Sequence, residues 1–189
     1  EINQQKTSKK TSLKNKKPEK SFENTIKNFK EIEGLFTIYW NEDDNKAYIE
    51  ILPDQLDVIY LAGLTRESGD ALFLDGSSML NEYPFMFKKI GKRIQFINVN
   101  LKFRANLNSP FYKSVESHKS NSILSSGKIA SAPHSKTGAL LVNIGDIFLY
   151  DLERITMKSQ GLYSFDKKDS YFKNIKSFPF NTEIELALH

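Results

Sequence analysis

From Glu33 to Ile51 the chain reads EGLFTIYWNEDDNKAYIEI, two strand-like runs around a polar loop. Phe36, Ile38 and Trp40 alternate with Leu35, Thr37 and Tyr39, so a strand here has two largely apolar faces. A sheet face of that kind must be covered, and a strand apolar on both faces is expected to be central, not one that shows a face to water. Asn41 to Lys46 forms the turn, Ala47, Ile49 and Ile51 return on one face, and Pro53-Asp54 breaks the second strand. The chain has the material for such a cover: it is 39% hydrophobic, with 14 Phe and 8 Tyr among its 189 residues.

The flanking sequence predicts more strands than helices. Ser21 can cap a helix in which Phe22, Ile26, Phe29 and Ile32 recur at helical spacing, with Gly34 as its stop. Residues 57–64 predict a third strand and residues 65–82 a long loop. PFMFKKIGKRIQF predicts a hairpin around Gly91. In RIQFINVNLKFR, Ile97, Val99, Leu101 and Phe103 face one way and Asn98, Asn100, Lys102 and Arg104 the other, the alternation of a half-buried strand. Ser109-Pro110 opens a modest helix to about Ser120. Ala139–Ile144 predicts a strand ending at Gly145, with Asp146 capping a short helix. Phe178, Phe180, Ile184, Leu186 and Leu188 alternate up to the last residues, which predicts a second domain truncated at its C-terminus.

No βαβ period is present, so the fold class expected is a β-rich α+β protein: mostly antiparallel sheet or sheets built from hairpins, with two or three short helices. The organisation expected is a disordered basic tail over 1–20, a small helix-plus-hairpin domain over 21–70, and a second β-rich domain over 71–189 that shares a core with the first. The tail holds seven lysines against Glu1 and Glu19, a surplus of five; with the whole chain at +4, the rest carries −1. Charge confined to a tail with one Leu and no aromatic reads as a solvated segment. A nucleic-acid partner would call for a basic face with interleaved aromatics on the fold, so none is expected.

Reaction chemistry finds few carriers. There is no cysteine, and the three histidines are His118, His134 and His189. None stands in the H-E-x-x-H spacing that puts two zinc ligands on one helix face. No G-x-S-x-G elbow appears, and glycines 63, 69 and 76 are too far apart to cradle a phosphate. Glu42, Asp43 and Asp44 lack calcium-loop spacing and read as a solvated turn. No catalytic or metal-binding residue is assigned. The candidate binding face is the row Asn98, Asn100, Lys102, Arg104, whose amides and guanidinium suit an extended peptide or a carboxylate. No run reaches the ~18 apolar residues of a membrane helix, and Glu1 is expected to follow a removed leader segment.

Four blocks in order, FKEIEGLFTIYWNEDDNKAYIEI, IQFINVNLKFR, LLVNIGDIFL and DSYFKNIKSFPFNTEIEL, resemble the N-terminal half of large bacterial zinc-dependent, metzincin-like metallopeptidases. The resemblance spans roughly Phe22 to Leu188 and is anchored on Gly34, Leu35 and Phe36, on Asn98, Asn100 and Arg104, on Gly145 and Asp146, and on Phe178, Pro179, Asn181 and Glu183. It implies domains of unknown function preceding a catalytic domain that carries the zinc. The zinc ligands and catalytic glutamate of that family have no counterpart here. The resemblance therefore implies a non-catalytic accessory region of an exported bacterial peptidase, with no cofactor of its own. Its partners would be the downstream catalytic domain and a peptide substrate. Gly34, Phe36, Trp40, Gly145 and Pro179 are expected to be structural. The rival expectation is a free-standing peptide- or glycan-binding module that uses the Asn98–Arg104 face.

Overall fold

The opening hairpin lies at the centre of a sheet. The computed structural model describes residues 20–69, 76–118 and 120–189, so the basic tail expected over 1–20 lies, up to residue 19, outside the described residues. Strands β1 (Lys30–Ile32), β2 (Ile38–Asn41), β3 (Lys46–Ile51) and β8 (Leu140–Asn143) pair antiparallel in the order β1-β2-β3-β8. The register sets Ile38 opposite Ile49, Tyr39 opposite Tyr48 and Trp40 opposite Ala47. Ile38, Ala47, Ile49 and Ile51 therefore share one face and enter the main core, with Trp40 packed half-buried against it. Tyr39, Tyr48 and Leu141 share the opposite face, where Phe22 and Ile26 of helix α1 (Phe22–Ile26) and the following Phe29 cover them. The expectation of a strand covered on both faces is met.

A second sheet closes the other side. Strands β4 (Tyr60–Arg66), β5 (Ser78–Ile90), β6 (Arg93–Asn98) and β7 (Ser122–Lys128) form an antiparallel meander in chain order. Tyr83, Phe85, Phe87, Ile94 and Phe96 point from it into the same core. Ring centroids stand 5.5 Å apart for Phe36 and Phe87 and 4.9 Å for Phe85 and Phe96. Burying each such side chain contributes roughly 1.5–3 kcal/mol. The two sheets meet where Ile129, just past β7, bridges Val142 of β8. A Cβ on Gly127 would stand 2.7 Å from Val142 Cγ1, so glycine is what lets β7 approach β8 so closely. Strands β9 (Tyr171–Phe178) and β10 (Asn181–Ala187) form a separate hairpin that adds Phe172 and Ile175 to the core. The core thus draws on both halves of the chain, and β8 completes the sheet begun by β1–β3. With the short helices α1, α2 (Tyr112–His118) and α3 (Ile155–Lys158), the fold is β-rich α+β and mostly antiparallel.

Several local expectations are corrected. Ser21 does cap α1, its side chain accepting from the Asn24 amide, but the helix ends at Ile26. Ile32 lies on β1, because pairing with Ile38 outweighs the helical spacing. The third strand starts at Tyr60 and runs to Arg66, and β5 begins at Ser78, so the loop expected over 65–82 is shorter at both ends; residues 70–75 lie outside the described residues. The helix expected after Ser109 is confined to Tyr112–His118. At the end of β8 the cap is Asn143, whose side chain accepts from the Gly145 amide, and it opens a 3-10 turn that includes Asp146. Phe178 and Phe180 do not share a strand. Residues 179 and 180 form the turn of the β9–β10 hairpin, since proline supplies no amide hydrogen to a ladder. Among the described residues no helix is long and apolar enough to cross a membrane.

Candidate functional site

The expected row of polar residues is not one strand face. Asn98 ends β6, opposite Phe85 and Ser122. The chain then turns: the Asn100 side-chain oxygen accepts from the amides of Lys102 at 3.1 Å and Phe103 at 3.3 Å, while the Asn100 amide donates to Asn121 Oδ1 at 2.9 Å. An Asx turn of this kind replaces the sheet ladder. Lys102 and Arg104 therefore lie exposed beyond the sheet, out of line with Asn98.

The residues expected to be structural differ in their surroundings. Phe36 is buried in the core and Gly145 in the turn after β8. Gly34 lies against Phe178, Trp40 packs on the core and Pro179 occupies the β9–β10 turn. The histidines make local contacts. His118 Nδ1 lies 2.9 Å from Ser114 O, and His134 Nδ1 lies 2.8 Å from Thr137 Oγ1 with its ring against Phe22. Among the described residues no group of three or more His, Asp or Glu side chains is placed to hold a metal ion.

One cleft gathers charged, polar and apolar groups. It has a volume of about 540 Å³ and lies between the far end of the β4–β5 hairpin and the segment 153–163. Leu80, Ile155 and Leu162 line it with apolar surface, and Arg66 and Lys158 bring cations to it. Leu80 is the extra residue of a β-bulge: Leu64 pairs with Asn81 and Thr65 with Met79, which leaves Leu80 unpaired between them. A bulge re-aims a side chain in this way. Lys158 Nζ is 3.4 Å from Glu153 Oε2, but the two are unequally placed, with the lysine side chain 64% exposed and the glutamate only 12%. Lys158 is thus the more exposed member of the pair. Glu153 also approaches Tyr83, whose hydroxyl is pushed up to about 12 by burial and then by that carboxylate.

The segment beside the cleft is held by Asp151. Its carboxylate accepts from Ile155 N at 2.7 Å, Thr156 N at 2.9 Å and Thr156 Oγ1 at 2.7 Å. Burial works to raise its pKa, yet these hydrogen bonds, with Lys158, hold it below the usual carboxylate value. Arg154 and Gln160 adopt left-handed backbone at φ 53° and 54°, so the segment bends sharply at both ends of α3. The sequence offered no sign of this cleft. Its walls come from stretches far apart in the chain, and neither carries a recognisable spacing.

A second polar cluster lies on the first sheet. The Tyr39 hydroxyl donates to Glu50 Oε2 at 2.9 Å and lies 3.3 Å from Glu31 Oε1. Burial first, then the two carboxylates, raise its pKa far above the ordinary phenol value. The arrangement joins β1, β2 and β3 across the sheet.

The family model of a domain of unknown function (DUF5117) matches residues 77–188, more than half of the chain. No curated protein and no solved structure matches the chain. The match extends from the start of β5 through β10 and includes all of the cleft wall formed by 153–163, with Leu80, but not Arg66.

Proposed function

We propose that this chain, which belongs to the family of domains of unknown function DUF5117, serves as a non-catalytic accessory region of a larger, exported bacterial zinc-dependent metallopeptidase, docked on the catalytic domain. Zinc belongs to that downstream domain, peptide is its substrate, and nucleic acid has no part. The four blocks that resemble the N-terminal half of such peptidases support the reading. So does the use of Gly34, Phe36, Asn100 and Gly145 among the anchor residues, which pack or turn.

The observation that carries the docking is the tip of the β9–β10 hairpin. Phe180 is 93% exposed there, with Phe178 beside it partly exposed and Pro179 between them. An aromatic held out on a rigid turn suits the anchor of a protein interface, where a few such side chains supply most of the binding energy.

Reading the gene on past His189 tests the proposal first. An H-E-x-x-H segment followed by a third histidine is expected, and this chain should bind the downstream segment when the two are mixed. Phe180→Ser should weaken that binding about tenfold or more and leave the thermal midpoint of the isolated chain unchanged. A stop codon directly after His189, a downstream segment without zinc ligands, or two halves that do not bind would overturn it.

A further inference from the structure

Strand β4 is an edge of its sheet, and its length from Tyr60 to Thr65 carries none of the usual guards. It pairs only with β5, and among the described residues no backbone hydrogen bond from outside its sheet reaches Tyr60–Thr65. Folded proteins protect long edges with proline, lysine or extra twist, because unpaired N–H and C=O groups are a template for another strand. Between Tyr60 and Thr65 there is neither proline nor charge. The edge is also apolar: Leu61 is 72% exposed, and Val58 and Ile59, just before the strand, are exposed as well. The far end of the same strand opens into the cleft, where Leu80, Ile155 and Leu162 form an apolar floor beside Arg66 and Lys158.

We infer that β4 and this cleft together form a binding site for an extended peptide, which adds to the sheet as a strand beyond β4 and sends its C-terminal side chains into the cleft. Strand addition takes affinity from main-chain hydrogen bonds and specificity from pockets that receive alternate side chains. The stretch Tyr60–Thr65 of β4 sets the length of the segment that can pair. The cleft sets its character: an apolar side chain over Leu80 and Leu162, and an acidic one at the end that meets the exposed Lys158 ammonium. This site lies apart from the β9–β10 tip, and it stands whether or not the chain docks on a peptidase.

The probe is a fluorescein-labelled seven-residue peptide of alternating threonine and valine that ends in leucine and glutamate, followed by anisotropy and by amide hydrogen exchange. Saturable binding is expected, with slowed exchange confined to residues 60–66. Lys158→Gln and Leu162→Asp should each weaken binding about tenfold. Leu162 is largely exposed, whereas Lys158 also pairs with the largely buried Glu153, so the thermal midpoints of both variants are measured and binding is compared where both are folded. A copy of the peptide N-methylated at alternate residues keeps its side chains, loses donors and should not bind. Four outcomes would overturn the proposal: no binding at about 1 mM, where only some −4 kcal/mol is needed; equal binding of the N-methylated copy; binding with unchanged exchange in β4; or self-association that protects β4 without peptide, which would make a second copy the occupant.

Discussion

Gly34 stands against the backbone of Phe178. A Cβ on Gly34 would lie 2.6 Å from the Phe178 amide nitrogen, and the next residue, Leu35, donates its N–H to Phe178 O at 2.6 Å. Ser177 Oγ adds a hydrogen bond to Phe36 O at 2.8 Å. The entry to β2 is thus clamped to the end of the β9–β10 hairpin, and the clamp requires that residue 34 have no side chain.

Gly34→Ala should therefore cost about 1–3 kcal/mol by overpacking, because the atoms it meets are mostly backbone and cannot swing away. Gly63→Ala is the control. A Cβ there meets nothing within 4 Å, and alanine restricts the unfolded chain, so stability should hold or rise by roughly 0.5 kcal/mol. Urea midpoints at fixed m-value measure both. Equal midpoints for the two variants would mean that the clamp at Phe178 is not close-packed.

Trp40 packs on the core but its indole Nε1 is buried without a hydrogen-bond partner among the described residues. The ring contributes packing while the N–H carries an unreturned desolvation cost of about 1–3 kcal/mol. Trp40→Phe, which keeps a ring and removes the orphan donor, should change stability by less than about 1 kcal/mol. Trp40→Ala should cost about 2–4 kcal/mol, below the cost for a fully buried tryptophan. A loss as large in the phenylalanine variant as in the alanine variant, measured by thermal unfolding, would show that the N–H is satisfied in solution.

Asp151 anchors the segment beside the cleft through three hydrogen bonds, and its folded pKa lies below its ordinary value. A depressed carboxylate contributes stability that is complete above the unfolded pKa of ~3.9 and disappears as pH falls through the folded value. Asp151→Ala should lower stability by about 1 kcal/mol at pH 7, as loss of a capping side chain does. The gap between wild type and variant should narrow as pH falls below about 4. A gap that stays constant from pH 7 to pH 3 would show that the ionised form is not the one that holds the segment.

The sequence was legible where burial is simple. The β2–β3 hairpin has two apolar faces and a polar turn, and those faces fill two core clusters with no competing pattern. Alternation alone misled where a local cap interrupts it. Leu101 and Phe103 continue the period of Ile97 and Val99, but the Asn100 side chain captures the amides of Lys102 and Phe103 and turns the chain away from the sheet. β7 was invisible because SILSSGK has little apolar content. Its strand state is imposed by β6, where the Arg93 guanidinium bonds Ser126, and by the close approach of Gly127 to Val142. The cleft was illegible for a related reason: a β-bulge and a capped turn from distant segments create it, and neither has a periodicity to read.

Tyr39 gives the last prediction its sign. Its hydroxyl sits between Glu50 and Glu31, and burial with those two carboxylates raises its pKa well above that of an unfolded tyrosine. A raised folded pKa means that the native state keeps its proton while the unfolded chain releases it. Stability from this group is therefore complete below pH ~10 and declines as pH rises above that value. Tyr39→Phe removes the titration and also the hydrogen bonds to charged acceptors, for a loss of about 1.5–3 kcal/mol at neutral pH. Between pH 10 and pH 12 the wild type should lose stability faster than the variant, so the difference between them shrinks with pH. Urea unfolding at pH 8, 10 and 11.5 measures it. A difference that widens with pH would mean that Tyr39 ionises readily in the folded protein, and the bond to Glu50 would then not be the tie that joins these strands.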